Sequence, residues 1–161
     1  MSARERKAKP PPEPAGFDVA NRLFFRLYQA SNLMHKQGTR YVAGFDATTQ
    51  QWAVLGALAR PRANVQGVTV KELIAFLELS RQNLTAVLDR LEARGWIERL
   101  VDETDARSRR IRLTPAGQET WARMQTPIEA FYEAALKDLN PAERADLWRL
   151  LDRLKAGLAK A

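Results

Sequence analysis

Apolar residues recur along most of this chain at three- and four-residue intervals, the period of a helix with one buried face. Val19, Leu23, Leu27, Ala30 and Met34 form one stripe on a helix predicted from Phe17 to about Val42. Phe24, Tyr28, Ser31 and His35 form a second, adjacent stripe that grows more polar along the helix. Gly38 lowers helix propensity by about 1 kcal/mol relative to alanine, so the helix is expected to loosen there. Thr48 and Gln51 make a capping box that opens a helix from Thr49 to about Arg60, presenting Trp52, Leu55, Leu58 and Ala59. Pro61 ends it, and Pro61 to Gly67 reads as a loop. Thr69 and Glu72 form a second box, starting a helix with Leu73, Ile74 and Leu77 on its buried side. After a three- or four-residue turn Ser80 is placed to cap the next helix, whose Leu84, Val87, Leu88 and Leu91 face the core. Arg81, Gln82, Thr85 and Asp89 are left on its outer face, with Asn83 at the shoulder. Two short helices joined by a tight turn, the second polar outside, describe a helix-turn-helix.

The period then changes. Gly95 can take the left-handed conformation that ends a helix. Trp96 to Val101 has the β-branched and aromatic content of a strand, and Ile111-Arg112-Leu113 alternates and can return beside it. Between them lies DETDARSRR, which with the next residues packs Arg107, Arg109, Arg110 and Arg112 into six positions. An arginine-tipped hairpin directly after a helix-turn-helix is a wing. Thr114 and Pro115 open another helix, with Trp121 and Met124 as apolar landmarks. Thr126-Pro127-Ile128-Glu129 repeats the start signal in mid-pattern and predicts a kink or break before Phe131, Tyr132, Ala135 and Leu136. Asn140-Pro141-Ala142-Glu143 opens the last helix, on which Leu147, Leu150, Leu151, Leu154 and Leu158 form a leucine-rich face.

At this point the chain resembles the MarR family of winged-helix regulators. The resemblance is carried by Leu79-Ser80-Arg81 opening the reading helix and by Asp89-Arg90-Leu91-Glu92-Ala93-Arg94-Gly95 closing it. Asp105-x-Arg107 in the wing and Leu113-Thr114-x-x-Gly117 after it follow in the family's order and spacing, and the helical pattern extends the likeness over residues 17–160. The expected fold is mainly α with a small β-hairpin wing: a winged helix-turn-helix plus a helical dimerisation layer. Residues 1–16 form a basic, proline-rich tail, too polar to order itself unless it serves as an arm on DNA phosphates. Residues 17–47 supply the N-terminal helix of the layer, 48–113 the DNA-binding region and 114–161 the C-terminal dimerisation helices.

Charge sharpens this picture. Among 161 residues the formal charge is +7, which suggests an anionic partner. Residues 113–161 carry seven basic and seven acidic side chains, so their leucine face reads as a dimer surface or as core packing within one subunit. Residues 17–71 carry seven basic and two acidic, a net of +5. The absence of cysteine excludes a disulfide framework and a thiol redox switch, and a single histidine argues against a zinc site. No cofactor is expected. No apolar run approaches the roughly 20 residues of a membrane span, and no signal peptide precedes the first charges, so a cytoplasmic protein is expected. No nucleophile, phosphate loop or metal-spaced cluster supports an enzyme. Asp102 and Glu103 fall in the hairpin, where an exposed setting is expected.

The partner these features describe is double-stranded operator DNA. Gln and Asn can bond adenine bidentately and Arg can bond guanine, so Gln82 and Asn83 are base-reading candidates and Arg81 reads a base or a phosphate. Thr85 suits a thymine methyl or a phosphate. Ser80 caps the helix, where it can also hold a phosphate. Arg90 and Arg94 read as solvated charges or as partners of Asp89 and Glu92, with a phosphate contact as the alternative. Arg107 and Arg109 are candidates for the minor groove, and the resemblance implies that Asp105 braces Arg107. It also implies a small aromatic ligand in a cleft between the dimer helices and the winged lobe. That cleft would be lined by Tyr28, Ser31, His35 and Trp52, although Tyr28 and Trp52 equally suit a core and His35 a surface. Arg22, Arg26, Lys36 and Arg40 nearby favour an anion, either an aromatic carboxylate or an aryl-coenzyme A thioester. The expected function is a homodimeric repressor released from a pseudo-palindromic operator by that effector. The alternatives are an activator of the same fold, or a winged-helix assembly module that reads no sequence.

Overall fold

The helix starts marked by cap sequences at Thr48, Thr69, Ser80, Thr114 and Asn140 are present in the computed structural model, which describes residues 16–102 and 108–161. The basic tail over residues 1–15, and Glu103, Asp105 and Arg107 of the wing, lie outside the described residues. In order the chain forms α1 (Gly16–Tyr41), a 3-10 turn (Ala43–Phe45), α2 (Thr49–Leu58), α3 (Pro61–Gln66) and β1 (Val68–Thr69). There follow α4 (Val70–Leu77), α5 (Arg81–Ala93), β2 (Ile97–Val101), β3 (Arg109–Leu113), α6 (Pro115–Leu136) and α7 (Pro141–Leu158). Capping boxes close the N-termini of α2, α4 and α7, and the Ser80 and Thr114 hydroxyls cap α5 and α6. The chain divides into two compact units, residues 1–34 and 35–161. In the first, the described part of α1 exposes Phe17, Leu23, Phe24, Phe25 and Tyr28. Among the described residues, no helix is long and apolar enough to cross a membrane.

The second unit holds the core. Val54, Leu55 and Leu58 of α2 pack with Leu73 of α4 and with Leu84, Val87, Leu88 and Leu91 of α5. Ile97, Ile111 and Leu113 close it from the sheet, and Met124, Ile128 and Phe131 from α6. The three strands are antiparallel in the order β1-β3-β2, with Val68 opposite Ile111 and Arg99 opposite Ile111 on the other side.

Three expectations need correction. Pro61 to Gly67 is not a loop: Pro61 starts α3 at the first helical position, where its missing N–H costs nothing. The helix α1 does not loosen at Gly38. That glycine is buried because a Cβ there would come within 2.7 Å of Thr49 and 3.0 Å of Trp52, so it permits close packing instead. The helix α6 does not break at Thr126-Pro127 but runs through Pro127. Met124, Ile128 and Phe131 are buried on both sides of it, and burying each stabilises by roughly 1.5–3 kcal/mol, enough to offset the proline's cost of about 3 kcal/mol. The two-residue β1 was not anticipated at all.

The turn between α5 and β2 ties the unit together. Gly95 sits at φ 69°, and its N–H bonds the Glu92 carbonyl at 2.8 Å while that of Trp96 bonds Leu91 at 3.0 Å. This is the Schellman closure of a helix. The Thr114 hydroxyl donates to the Gly95 carbonyl at 2.6 Å, and the Thr114 N–H to the Trp96 carbonyl at 3.1 Å. A Cβ on Gly117 would lie 1.9 Å from that same Trp96 oxygen. The Leu-Thr-x-x-Gly spacing thus lets the first turn of α6 press against the end of α5.

Gly117→Ala is therefore expected to destabilise the fold by about 1–3 kcal/mol, since backbone must move to admit the methyl. Gly157→Ala, with nothing within 4 Å, is the control and should be neutral or stabilising by up to about 1 kcal/mol. Equal urea midpoints for the two variants would contradict this packing. A pH effect belongs to the α4 cap. The Thr69 N–H bonded to its carboxylate holds Glu72 below the usual carboxylate range, partly opposed by burial and aided by the Thr69 hydroxyl, Arg110 and Arg62. A carboxyl depressed on folding stabilises above its unfolded value, about 4.3, and that contribution vanishes as pH falls through the folded value. Wild type should thus exceed Glu72→Gln in stability at pH 7, by a margin that shrinks as pH falls below about 4.3. A gap that does not change with pH would contradict the assignment.

Candidate nucleic-acid interface

The first turn of α5 presents the base-reading candidates as a group. Ser80 stands just outside the helix, and its hydroxyl accepts the Asn83 N–H at 3.2 Å, so capping is its structural role. Arg81, Gln82, Asn83 and Thr85 are all exposed, because Leu84, Val87 and Leu88 take the opposite face into the core. The Thr85 hydroxyl donates back to the Arg81 carbonyl at 2.8 Å. Its methyl group and the two lone pairs of its hydroxyl oxygen remain for a partner. Three planar hydrogen-bonding groups and a methyl, on one exposed helical turn, match what major-groove base edges offer.

The wing arginines do not act alike. Arg110 donates to the Asp102 carboxylate at 2.9 Å and to the Gly67 carbonyl at 3.2 Å, linking β3 to the end of α3. Arg112 pairs with Glu98 across the hairpin at 2.6 Å. Arg99, on β2, reaches the reading helix itself and bonds Asp89 at 2.5 Å and Glu92 at 3.2 Å. The expected pairing of Asp89 and Glu92 with arginines of their own helix is thereby corrected: a strand arginine takes both. Arg94 is no solvated charge either. It donates to the Asp46 and Phe45 carbonyls at 2.5 and 2.6 Å and lies 3.8 Å over the Trp96 ring. Asp102, expected to be exposed, is only 5% accessible. It follows β2 and turns under Arg110, a contact visible only once the hairpin is closed. Arg109 is exposed at the start of β3 and donates to the Ser108 carbonyl at 3.1 Å. Arg90 is exposed on α5. The wing-holding roles of Arg99 and Arg110 escaped sequence reasoning. The alternation of Arg110 and Arg112 with Ile111 and Leu113 is the signal that places both on one face.

The residues expected around an effector fall in both units. In the first, Tyr28 is 67% exposed and Ser31 half-buried, Arg22 pairs with Asp18 at 3.0 Å and Arg26 bonds Gln29 at 3.1 Å. In the second, Arg40 bonds Gln37 at 3.1 Å, and His35 Nδ1 shares a 2.6 Å hydrogen bond with the Thr49 hydroxyl. Trp52 packs there against Gly38 and meets Phe131 and Tyr132 edge-on, at 5.7 and 6.1 Å. At 9% exposure it is chiefly a core aromatic. Burial pushes the Tyr132 phenol up.

Comparison with known proteins bears on this geometry. A model of the MarR family matches residues 45–108, from the 3-10 turn to the base of the wing. The chain is 42% identical to the transcriptional activatory protein BadR of Rhodopseudomonas palustris, over 96% of this chain and 91% of that one. It is 30% identical to the multiple antibiotic resistance protein MarR of Salmonella typhimurium, over 80% of this chain and 87% of that one. Among solved structures, a mutant MarR from E. coli complexed with operator DNA matches with a TM-score of 0.76 at 25% identity. That match covers 88% of this chain and 99% of the other.

Arg99 leads to a direct expectation. Removing it leaves Asp89 and Glu92 without their partner on the helix that carries the base-reading set. Arg99→Ala should weaken DNA binding by on the order of tenfold, about 1.4 kcal/mol, and Asp89→Asn in that background should restore part of it. Fluorescence anisotropy on a labelled duplex reads both, and an unchanged affinity in Arg99→Ala would refute the role.

Proposed function

The chain belongs to the MarR family and is a DNA-binding transcriptional regulator, and from that premise we propose a homodimer whose hold on a pseudo-palindromic operator is set by a small aromatic anion. The observation that carries the DNA half of this reading is the exposed set Arg81, Gln82, Asn83 and Thr85 on the first turn of α5. It also favours sequence reading over a winged-helix assembly module. Arg107 and Arg109 are the wing's candidates for the minor groove, and Arg90 a phosphate contact. The dimer half is supported by α7, where Leu147, Leu150, Leu151 and Leu158 are 42–51% exposed and Trp148 70% exposed on a charge-balanced helix. Residues 17–47 and 114–161 then build the layer, and 48–113 read DNA.

For the effector we keep Tyr28, Ser31, His35 and Trp52, with Arg22, Arg26 and Arg40 as the cations that favour an aromatic carboxylate or an aryl-coenzyme A thioester. A ligand shifts the operator-competent form only by its differential affinity for the two forms. Repression follows if the dimer covers a promoter and leaves it on binding the effector. A second reading, activation, is favoured by the 42% identity to a protein named for transcriptional activation. Transcription in vitro from the protein's own promoter, with and without effector, separates the two.

Three outcomes test the proposal. Gln82→Ala should relax preference at one base pair by about 1–3 kcal/mol, while Arg107→Ala weakens binding to all duplexes. Equal losses on specific and random DNA for both would remove the base-reading assignment. Deleting residues 141–161 should give a monomer or an insoluble chain, and a truncated dimer with unchanged operator affinity would exclude α7 from the interface. Tyr28→Ala should raise the effector concentration needed to alter operator binding, with unliganded binding unchanged. It is a cleaner probe than Trp52→Ala, which would cost about 3–5 kcal/mol of core packing. An effector that acts on Tyr28→Ala at the wild-type concentration places its pocket elsewhere.

A further inference from the structure

We propose that Lys71 of α4, Arg81 of α5 and Arg109 of β3 together seat one backbone phosphate of the bound duplex in each half-site. The inference rests on the DNA-binding reading and adds to it a third element, α4, which neither the reading helix nor the wing supplies.

The three side chains line a single cleft of about 390 Å³, with Thr69 and Ser108 in its walls. They arrive from three different elements: the second residue of α4, the first of α5 and the first of β3. Neither Lys71 nor Arg81 has an acidic partner among the described residues, whereas Arg99, Arg110 and Arg112 of the same region are all paired with carboxylates. Lys71 and Arg81 bring like charge to one hollow, and a phosphodiester offers them one negative charge and two acceptor oxygens. Such a seat works through side chains rather than through the helix end. At the start of α4 the amides of Thr69 and Glu72 are already engaged in its capping box. Glu72 lines a different hollow, with Arg60 and Arg62, so its charge does not occupy this cleft.

Position gives the second argument. With α5 in the major groove and the wing in the adjacent minor groove, a sugar-phosphate strand must run between them, because that strand is what separates the grooves. The cleft lies between the first turn of α5 and the outer end of the hairpin, where Arg109 pairs with Val101. It therefore meets the backbone and not a base edge, which assigns Arg81 to phosphate and Arg109 to the sugar-phosphate edge of the minor groove rather than its floor.

The test uses the full chain and duplexes of operator and random sequence. Lys71→Ala should lose the same factor of affinity on both, and lower the slope of log K against log salt by about 0.9. Lys71→Arg should keep the wild-type slope, and so should Lys160→Ala, a charge removed at the chain end. In ethylation interference, one phosphate per half-site should matter for wild type and cease to matter for Lys71→Ala. A Lys71→Ala protein that binds with the wild-type slope and the wild-type ethylation pattern overturns the seat but leaves DNA binding intact. Failure of the DNA reading itself looks different: the wild-type protein would then show no salt-dependent binding to any duplex.

Discussion

The carbonyl of Trp96 is the point on which the DNA-reading half of this molecule is hung. It accepts the Thr114 N–H at 3.1 Å, and Gly117 passes so close that no side chain can stand there. The preceding residues close α5, and the following ones begin β2. One peptide group thus joins the end of the reading helix, the root of the wing and the start of α6. Arg94 secures the same point from the other side, with its guanidinium stacked on the Trp96 ring and bonded to the 3-10 turn after α1. The consequence is asymmetry along α5. Its C-terminal end is fixed by backbone hydrogen bonds, while its N-terminal turn is polar and exposed.

The net charge of +7 is a poor guide to which cations meet DNA. Several arginines here hold the fold together. Arg99 ties β2 to α5, Arg110 ties β3 to α3, and Arg112 ties the two hairpin strands to each other. Each is partly desolvated and meets a carboxylate or a carbonyl, and a guanidinium with five fixed donors suits that role better than an ammonium. That leaves fewer cations for the proposed DNA contacts than the count of basic residues suggests.

Local signals were legible and distant ones were not. Caps at Thr48, Thr69, Ser80, Thr114 and Asn140 each depend on residues three positions apart, so the sequence displays them directly. The same holds for the outward face of α5, which follows from the spacing of Leu84, Val87, Leu88 and Leu91. The strand β1 forms by pairing Val68 and Thr69 with Ile111 and Arg110, and the buried Asp102 is bonded by Arg110 from the opposite strand. Neither is written within a short window. Pro127 misled for the complementary reason: a strong local stop signal was overridden by tertiary burial of Met124, Ile128 and Phe131. Arg94 belongs with these cases, since its carbonyl partners lie 48 and 49 residues earlier.

The four tryptophans occupy four mechanically different places, and their light emission should differ accordingly. Trp52 sits in an aromatic cluster with Phe131 and Tyr132, and Trp121 packs on Gly56. Trp96 lies under a guanidinium at the joint between reading helix and wing, while Trp148 stands 70% exposed on α7. An indole in water emits at longer wavelength than one in a core, and a stacked cation perturbs the excited state of the ring beneath it. The chain therefore carries its own optical gauges, two against the core, one at the joint and one on α7. Single-tryptophan variants would let each region be watched separately without any added dye.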